Sequence, residues 1–140
     1  MEQQPTQTKA LVVRDLTKSY AGVTVLHAVN LSVTSGKVVG LIGENGAGKS
    51  TTSSIIAGIV QPDSGSMTLD GQDYSPHSPA NALESGVALI HQEIRMVPAL
   101  SVAENIFLGR LPISGGKVDR ALINERSAEA LRKLGVNIDP

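Results

Sequence analysis

The sequence contains no cysteine and no tryptophan, and its aromatic residues are one phenylalanine and two tyrosines. Without cysteine there can be no disulfide and no thiolate metal site, which leaves a reducing compartment as the expectation. With so few rings, a core has to be assembled from Val, Ile, Leu and Ala, a composition suited to a sheet covered by helices. Long apolar runs are missing too. Val38-Val39-Gly40-Leu41-Ile42 is far too short to cross a bilayer, and the polar opening Met1 to Thr8 does not read as a secretory signal. Lys and Arg number 12 against 13 Asp and Glu, for a formal net charge of −1. No basic excess therefore points to nucleic acid or anionic lipid. The expected setting is the cytoplasm, with any membrane association made through a partner.

The pattern of residues gives an α/β reading over one domain, 10–140, behind a disordered lead-in over 1–9. Leu11-Val12-Val13 opens a strand, and β-rich sequence continues through Val23-Thr24-Val25 and Val29 to Val33, with Gly22 and Ser35-Gly36 as turns. Val38 to Ile42 has the continuous apolar character of a buried parallel strand, and Lys49 to Ala57 behind it can form a helix closed by Gly58. Pro62-Asp63-Ser64-Gly65 predicts a turn, Met67-Thr68-Leu69 a short strand, Pro79 to Glu84 a helix and Val87 to Ile90 another strand. Ser101-Val102-Ala103-Glu104 has capping-box spacing and predicts a short helix to about Leu108, stopped by Gly109. From Asp119, the apolar positions Leu122, Ile123, Ala130, Leu131 and Leu134 predict a helix that ends at Gly135.

Gly43-Glu44-Asn45-Gly46-Ala47-Gly48-Lys49-Ser50 satisfies G-x-x-x-x-G-K-S/T, the loop that cradles the phosphates of a nucleoside triphosphate. Gly43, Gly46 and Gly48 are expected at positive φ, letting the backbone approach the phosphates with no Cβ in the way. The loop N–H groups and the helix N-terminus behind them then face the anion, and Lys49 supplies a point charge. Ser50 offers a hydroxyl to Mg²⁺, which keeps most of its waters and needs few protein ligands. A random chain of this length matches the pattern on the order of once in a few hundred cases. Its place between an apolar strand and a helix sets it apart from a glycine turn with a solvated lysine.

The loop by itself does not separate ATPases, GTPases and small-molecule kinases; its neighbours do. Leu16-Thr17-Lys18-Ser19-Tyr20, Gly22, Leu26, Val29, Leu31 and Gly36, leading into Gly40 to Thr51, resemble the start of an ABC transporter ATPase. The resemblance continues through Ala57-Gly58, Pro62-Asp63-Ser64-Gly65 and Leu69-Asp70-Gly71. Ile90-His91-Gln92-Glu93 and Leu100 to Arg110 look most like bacterial sugar importers of the ribose and galactose type, as do Leu134-Gly135 and Ile138-Asp139-Pro140. It implies a P-loop NTPase, an ABC-type ATPase core with an antiparallel β subdomain, of which this chain is the N-terminal portion.

Carried over by position, the resemblance implies that Gly43, Glu44, Asn45, Gly46, Ala47, Gly48, Lys49, Ser50 and Thr51 hold ATP. Ser50 and Gln92 would serve Mg²⁺, and Lys49 and Gln92 would serve catalysis. Tyr20 matches the aromatic that stacks on adenine, a task suited to a flat π face, while the plain alternative is a half-buried strand tyrosine. Gln92 otherwise reads as an ordinary polar residue at a strand end. The implied partners are transmembrane permease subunits, docking on Gln92 to Arg110, a second ABC domain and, indirectly, a periplasmic or extracellular sugar-binding protein. No nucleic acid is expected, and the location would be the inner face of the cell membrane. His27, His77 and His91 share no metal-ligand spacing and read as structural.

Two stretches imitate later motifs of the family. Ile113-Ser114-Gly115-Gly116-Lys117 resembles the L-S-G-G-Q signature but follows Gln92 too soon, and a surface turn explains its glycines. Val136-Asn137-Ile138-Asp139 makes a poor Walker B strand, since Asn137 interrupts it, no glutamate follows Asp139, and Pro140 would disrupt a central strand. Hydrolysis in this family needs the signature serine, the Walker B aspartate, the glutamate after it and a switch histidine. Phosphoryl transfer rests on positioning and charge stabilisation, so the chain is expected to hold nucleotide without cleaving it alone. A non-transport ABC ATPase working on ribosomes or DNA, and a nucleotide-binding module without turnover, are the competing readings.

Overall fold

β-Branched and leucine side chains dominate residues 10–34, and in the computed structural model, which describes residues 10–93 and 96–140, they form two long antiparallel strands. These are β1 (Ala10–Tyr20) and β2 (Val23–Thr34). The turn between them, Ala21-Gly22, has φ of 47° and 82°, the two left-handed residues of a type I′ hairpin. Ala21 carries the steric cost of that conformation, roughly 1–2 kcal/mol for a non-glycine residue. Ala21→Asn is therefore expected to stabilise the chain by roughly 1 kcal/mol, read as a higher urea midpoint at unchanged m value.

The ladder of this pair shifts register three times, between Val13 and Leu16, Leu16 and Lys18, and Lys18 and Ser19. Between Val13 and Leu16 the ladder shifts register with Asp15 at φ 50°, so two residues three apart both point into the core. Asn30 holds the bulge: its Oδ1 accepts from the Asp15 N–H at 3.1 Å and its Nδ2 donates to Asp15 Oδ1 at 3.1 Å. Ala28, at φ 51°, marks the compensating shift on β2.

The remaining strands are β3 (Ser64–Leu69) and β4 (Gln72–Asp73), giving a four-stranded antiparallel sheet in the order β2-β1-β3-β4. Helix α1 (Lys49–Ile56) packs on it through Ile55, which joins Val13, Leu16, Leu26, Met67 and Tyr74 in one buried cluster. Tyr74 Oη donates to Ile56 O at 2.8 Å, occupying a carbonyl that the helix end leaves open. Burial pushes the Tyr74 phenol above its ordinary pKa, which keeps that donor protonated. Helix α2 (Pro79–Glu84) starts on Ser78, whose Oγ accepts from the Asn81 N–H at 3.2 Å.

Helices α1 and α2 end alike. Gly58 N–H donates to Ile55 O and Ile59 N–H to Ser54 O; Gly86 N–H donates to Leu83 O and Val87 N–H to Ala82 O. This is the Schellman pattern, and it explains why a glycine directly past each helix is a dependable stop signal.

Two predicted strands do not form. Residues 38–42 and 87–90 have no ladder partner among the described residues and carry no strand structure. Val38 is 100 % exposed, Ile42 98 % and Ile90 92 %. A buried parallel strand requires a hydrogen-bonded neighbour and cover on both faces, and apolar composition alone supplies neither. The antiparallel subdomain was correctly expected, but β1 and β2 run longer than the sequence suggests because bulges absorb the breaks in alternation.

The chain divides into two compact units, Met1–Ile90 and His91–Pro140. The lead-in expected over 1–9 lies outside the described residues. In the second unit, α3 (Val102–Ile106) has the predicted capping box: Ser101 Oγ accepts from Glu104 N–H at 3.1 Å, and Glu104 Oε2 accepts from Ser101 N–H at 3.0 Å. The helix ends before Leu108, with Phe107 as C-cap. Asn105 ties down the preceding loop, its Nδ2 reaching the carbonyls of Val97, Leu100 and Ser101 and its Oδ1 accepting from Val97 N–H.

Strands β5 (Ile113–Ser114) and β6 (Lys117–Val118) make a two-residue hairpin around Gly115-Gly116, at φ 58° and 78°. That is another type I′ turn, and it is the surface turn expected for the signature-like stretch. Helix α4 (Arg120–Lys133) begins with Asp119, whose Oδ1 accepts from Leu122 N–H at 3.0 Å, and buries Ile123 and Ser127. It closes at Gly135 with Val136 N–H bonded to Leu131 O. Residues 136–139 form no strand, in keeping with the poor Walker B reading.

Candidate nucleotide site

The loop expected to hold phosphate is formed by residues 43–48 and runs straight into α1. Its turn is closed by Ala47 N–H on Glu44 O at 3.1 Å. Gly46 and Gly48 stand at φ 87° and 82°, as expected. Gly43 does not: it lies outside the positive-φ region, and the constraint there is space, since a Cβ would lie 3.1 Å from Ala47 Cβ. At Gly48 both constraints act. A Cβ would overlap Leu26 Cδ2 and stand 2.9 Å from Val25 O, so β2 presses directly against the start of the helix.

Gly48 is the N-cap of α1 and brings no side chain to its open N–H groups; no acidic residue occupies the first turn. The donors at this end therefore have no side-chain acceptor of their own, and the macrodipole adds positive potential. Lys49 Nζ donates to Gly43 O and Glu44 O, each at 2.7 Å, so the ammonium is folded over the loop. Ser50 is exposed and Thr51 half-buried. One exposed hydroxyl beside a row of backbone donors fits a triphosphate with a hydrated divalent ion, where Ser50 would supply a hard oxygen.

Tyr20 ends β1 and is 46 % exposed. Lys18 is paired with Leu26 across the hairpin, so both side chains lie on one sheet face, which is also the face that Gly48 touches through Leu26. Tyr20 follows Lys18 by two residues, past a register shift between Lys18 and Ser19, and its ring lies under the Lys18 ammonium. Gln92 sits in a bend of the second unit and is exposed. Residues 94 and 95, inside the stretch expected to dock a permease, lie outside the described residues. Among the described residues, no group of three or more His, Asp or Glu side chains gathers that could hold a metal ion.

The sequence reading missed two residues at this site. Asp63 Oδ1 pairs with Lys18 Nζ at 2.7 Å, and Asp63 Oδ2 accepts from Ser19 N–H at 2.7 Å. The Lys18 ammonium and that N–H hold the Asp63 carboxyl below its ordinary pKa. The residues are 45 positions apart; the Asp63 turn was legible, its reach to β1 was not.

A glycine loop that feeds a helix N-terminus with lysine at the first helical position defines a P-loop NTPase. A family model described as ABC transporter matches residues 26–139, and the chain belongs to that family. Among relatives, it is 47 % identical over 130 residues to an arabinose import ATP-binding protein of Azospirillum brasilense, covering 93 % of this chain and 25 % of that protein. A putative ribose/galactose/methyl galactoside import ATP-binding protein of Pseudomonas syringae pv. syringae is 44 % identical, covering 93 % of this chain and 25 % of that one. The chain spans about a quarter of the length of the curated relatives it matches. Among solved structures, a nucleotide-free ATP-binding cassette from an ABC transporter superposes with TM-score 0.72 at 25 % identity, over 91 % of this chain and 53 % of that one. Another cassette, in an ADP conformation, gives TM-score 0.54 at 31 % identity over 56 % of this chain and 31 % of that one.

Proposed function

We propose that this chain is the ATP-holding part of the ATPase subunit of a sugar ABC importer. The observation that carries the nucleotide half is the α1 N-terminus, with no side-chain cap on its N–H groups and the Lys49 ammonium held on the loop by Gly43 O and Glu44 O. ATP would place its phosphates there, with Mg²⁺ on Ser50, and its base on Tyr20. Likeness to arabinose and ribose/galactose import ATP-binding proteins, at 44–47 % identity over more than nine-tenths of the chain, supports the transport half. Gln92 would sense the ion and the transporter interface, and the stretch to Arg110 would dock the permease. The setting would be the inner face of the membrane; among the described residues no helix is long and apolar enough to cross it.

A chimera tests this reading: the chain replaces the matching quarter of an arabinose import ATP-binding protein, and sugar uptake is followed in cells. Uptake should be restored. Phe107→Glu in the same chimera should abolish uptake while Mg-ATP binding stays within about twofold, because the change falls on the docking stretch and not on the loop. Intact nucleotide binding with no uptake from the unmodified chimera would instead favour a non-transport ABC ATPase.

A further inference from the structure

The tyrosine at the end of β1 is backed by a cation. Lys18 Nζ lies over the Tyr20 ring, 5.5 Å from its centroid, inside the ~6 Å reach of a cation–π attraction. The ammonium is not free to wander, because Asp63 Oδ1 holds it at 2.7 Å. Asp63 is itself fixed to β1 twice, by Oδ2 on Ser19 N–H at 2.7 Å and by its own N–H on Thr17 O at 2.9 Å. Only 16 % of the Lys18 side chain is exposed, against 46 % of Tyr20. The lysine stem is packed away, its head covers one side of the ring, and part of the ring stays open.

We propose that Lys18, anchored by Asp63, is a positioning residue for the base: it locks the Tyr20 ring in place and makes its open face a better platform for a purine. This rests on the reading of Tyr20 as the stacking residue. Two physical effects act together. An exposed tyrosine moves among staggered rotamers, and fixing it beforehand lowers the ordering cost of binding. A cation on one face also draws π density toward itself, which leaves the opposite face less negative and better matched to an electron-rich base.

The test titrates the full chain with Mg-ATP and with Mg-tripolyphosphate, which has the phosphates but no base. Lys18→Met should weaken Mg-ATP binding about fivefold and leave tripolyphosphate within about twofold, whereas Lys18→Arg, which keeps the cation, should restore ATP binding. Asp63→Asn, which still accepts from Ser19 N–H but drops the charge, should fall between them. Equal loss for both ligands in Lys18→Met would show a general structural effect and overturn the proposal. So would unchanged ATP affinity in Lys18→Met while Tyr20→Ala weakens it. If Tyr20→Ala leaves ATP affinity untouched, the stacking reading itself fails, and the proposal with it.

Discussion

Lys49→Ala is expected to weaken Mg-ATP binding by roughly a hundredfold, measured by calorimetric titration of the full chain. The magnitude follows from removing one partner of a charge-assisted contact to phosphate, which leaves part of the phosphate charge unpaired. The structure makes this sharper than the motif does. Lys49 Nζ spans Gly43 O and Glu44 O, so the ammonium bends back over the loop whose N–H groups would meet the same phosphates. Those two bonds contribute modestly to the loop itself, on the order of 1 kcal/mol at a partly exposed site. The variant should therefore unfold at nearly the wild-type urea concentration, separating lost binding from lost fold. Equal affinities for the two proteins would remove the loop's assigned role.

Gly48→Ala should be the most damaging single methyl in the site. Its φ of 82° costs an L-residue roughly 1–2 kcal/mol. The new Cβ would in addition overlap Leu26 Cδ2 and crowd Val25 O, an overpacking term of about 1–3 kcal/mol. A loss of roughly 3 kcal/mol in unfolding free energy is expected, and nucleotide binding should fall with it as α1 is pushed from β2. Gly46→Ala provides the contrast. Gly46 has a similar φ of 87° but nothing within 4 Å of the Cβ position, so only the conformational cost of about 1–2 kcal/mol should appear. Equal losses in the two variants would mean that the contact between β2 and the helix start is not what fixes the loop.

The features most legible in the sequence were those decided by neighbours along the chain. The capping box at Ser101, the glycine stops at Gly58 and Gly135 and the turn of the glycine-rich loop all depend on residues within a few positions of each other. Residues 38–42 and 87–90 failed for the complementary reason. Their apolar composition fits a buried strand, but strand pairing is a property of the partner, and no described residue provides one. Asp15 and Ala28 were illegible because a bulge is set by how two strands must register around a core, which no local pattern announces. At the site, Gly46 and Gly48 take the positive φ that the motif predicts, and Gly43 was assigned a backbone freedom it does not use. The Lys18–Asp63 anchor needed the turn after α1 and the end of β1 to meet.

Hydrogen–deuterium exchange on the full chain, with and without saturating Mg-ATP, most directly tests the claim that the loop and helix start hold the nucleotide. Amides of residues 46–51 should slow on binding, since they would donate to phosphate, while those of the β5–β6 hairpin around Gly115-Gly116 should not change. Saturation without slowing in residues 46–51, or slowing confined to the hairpin, would contradict the account.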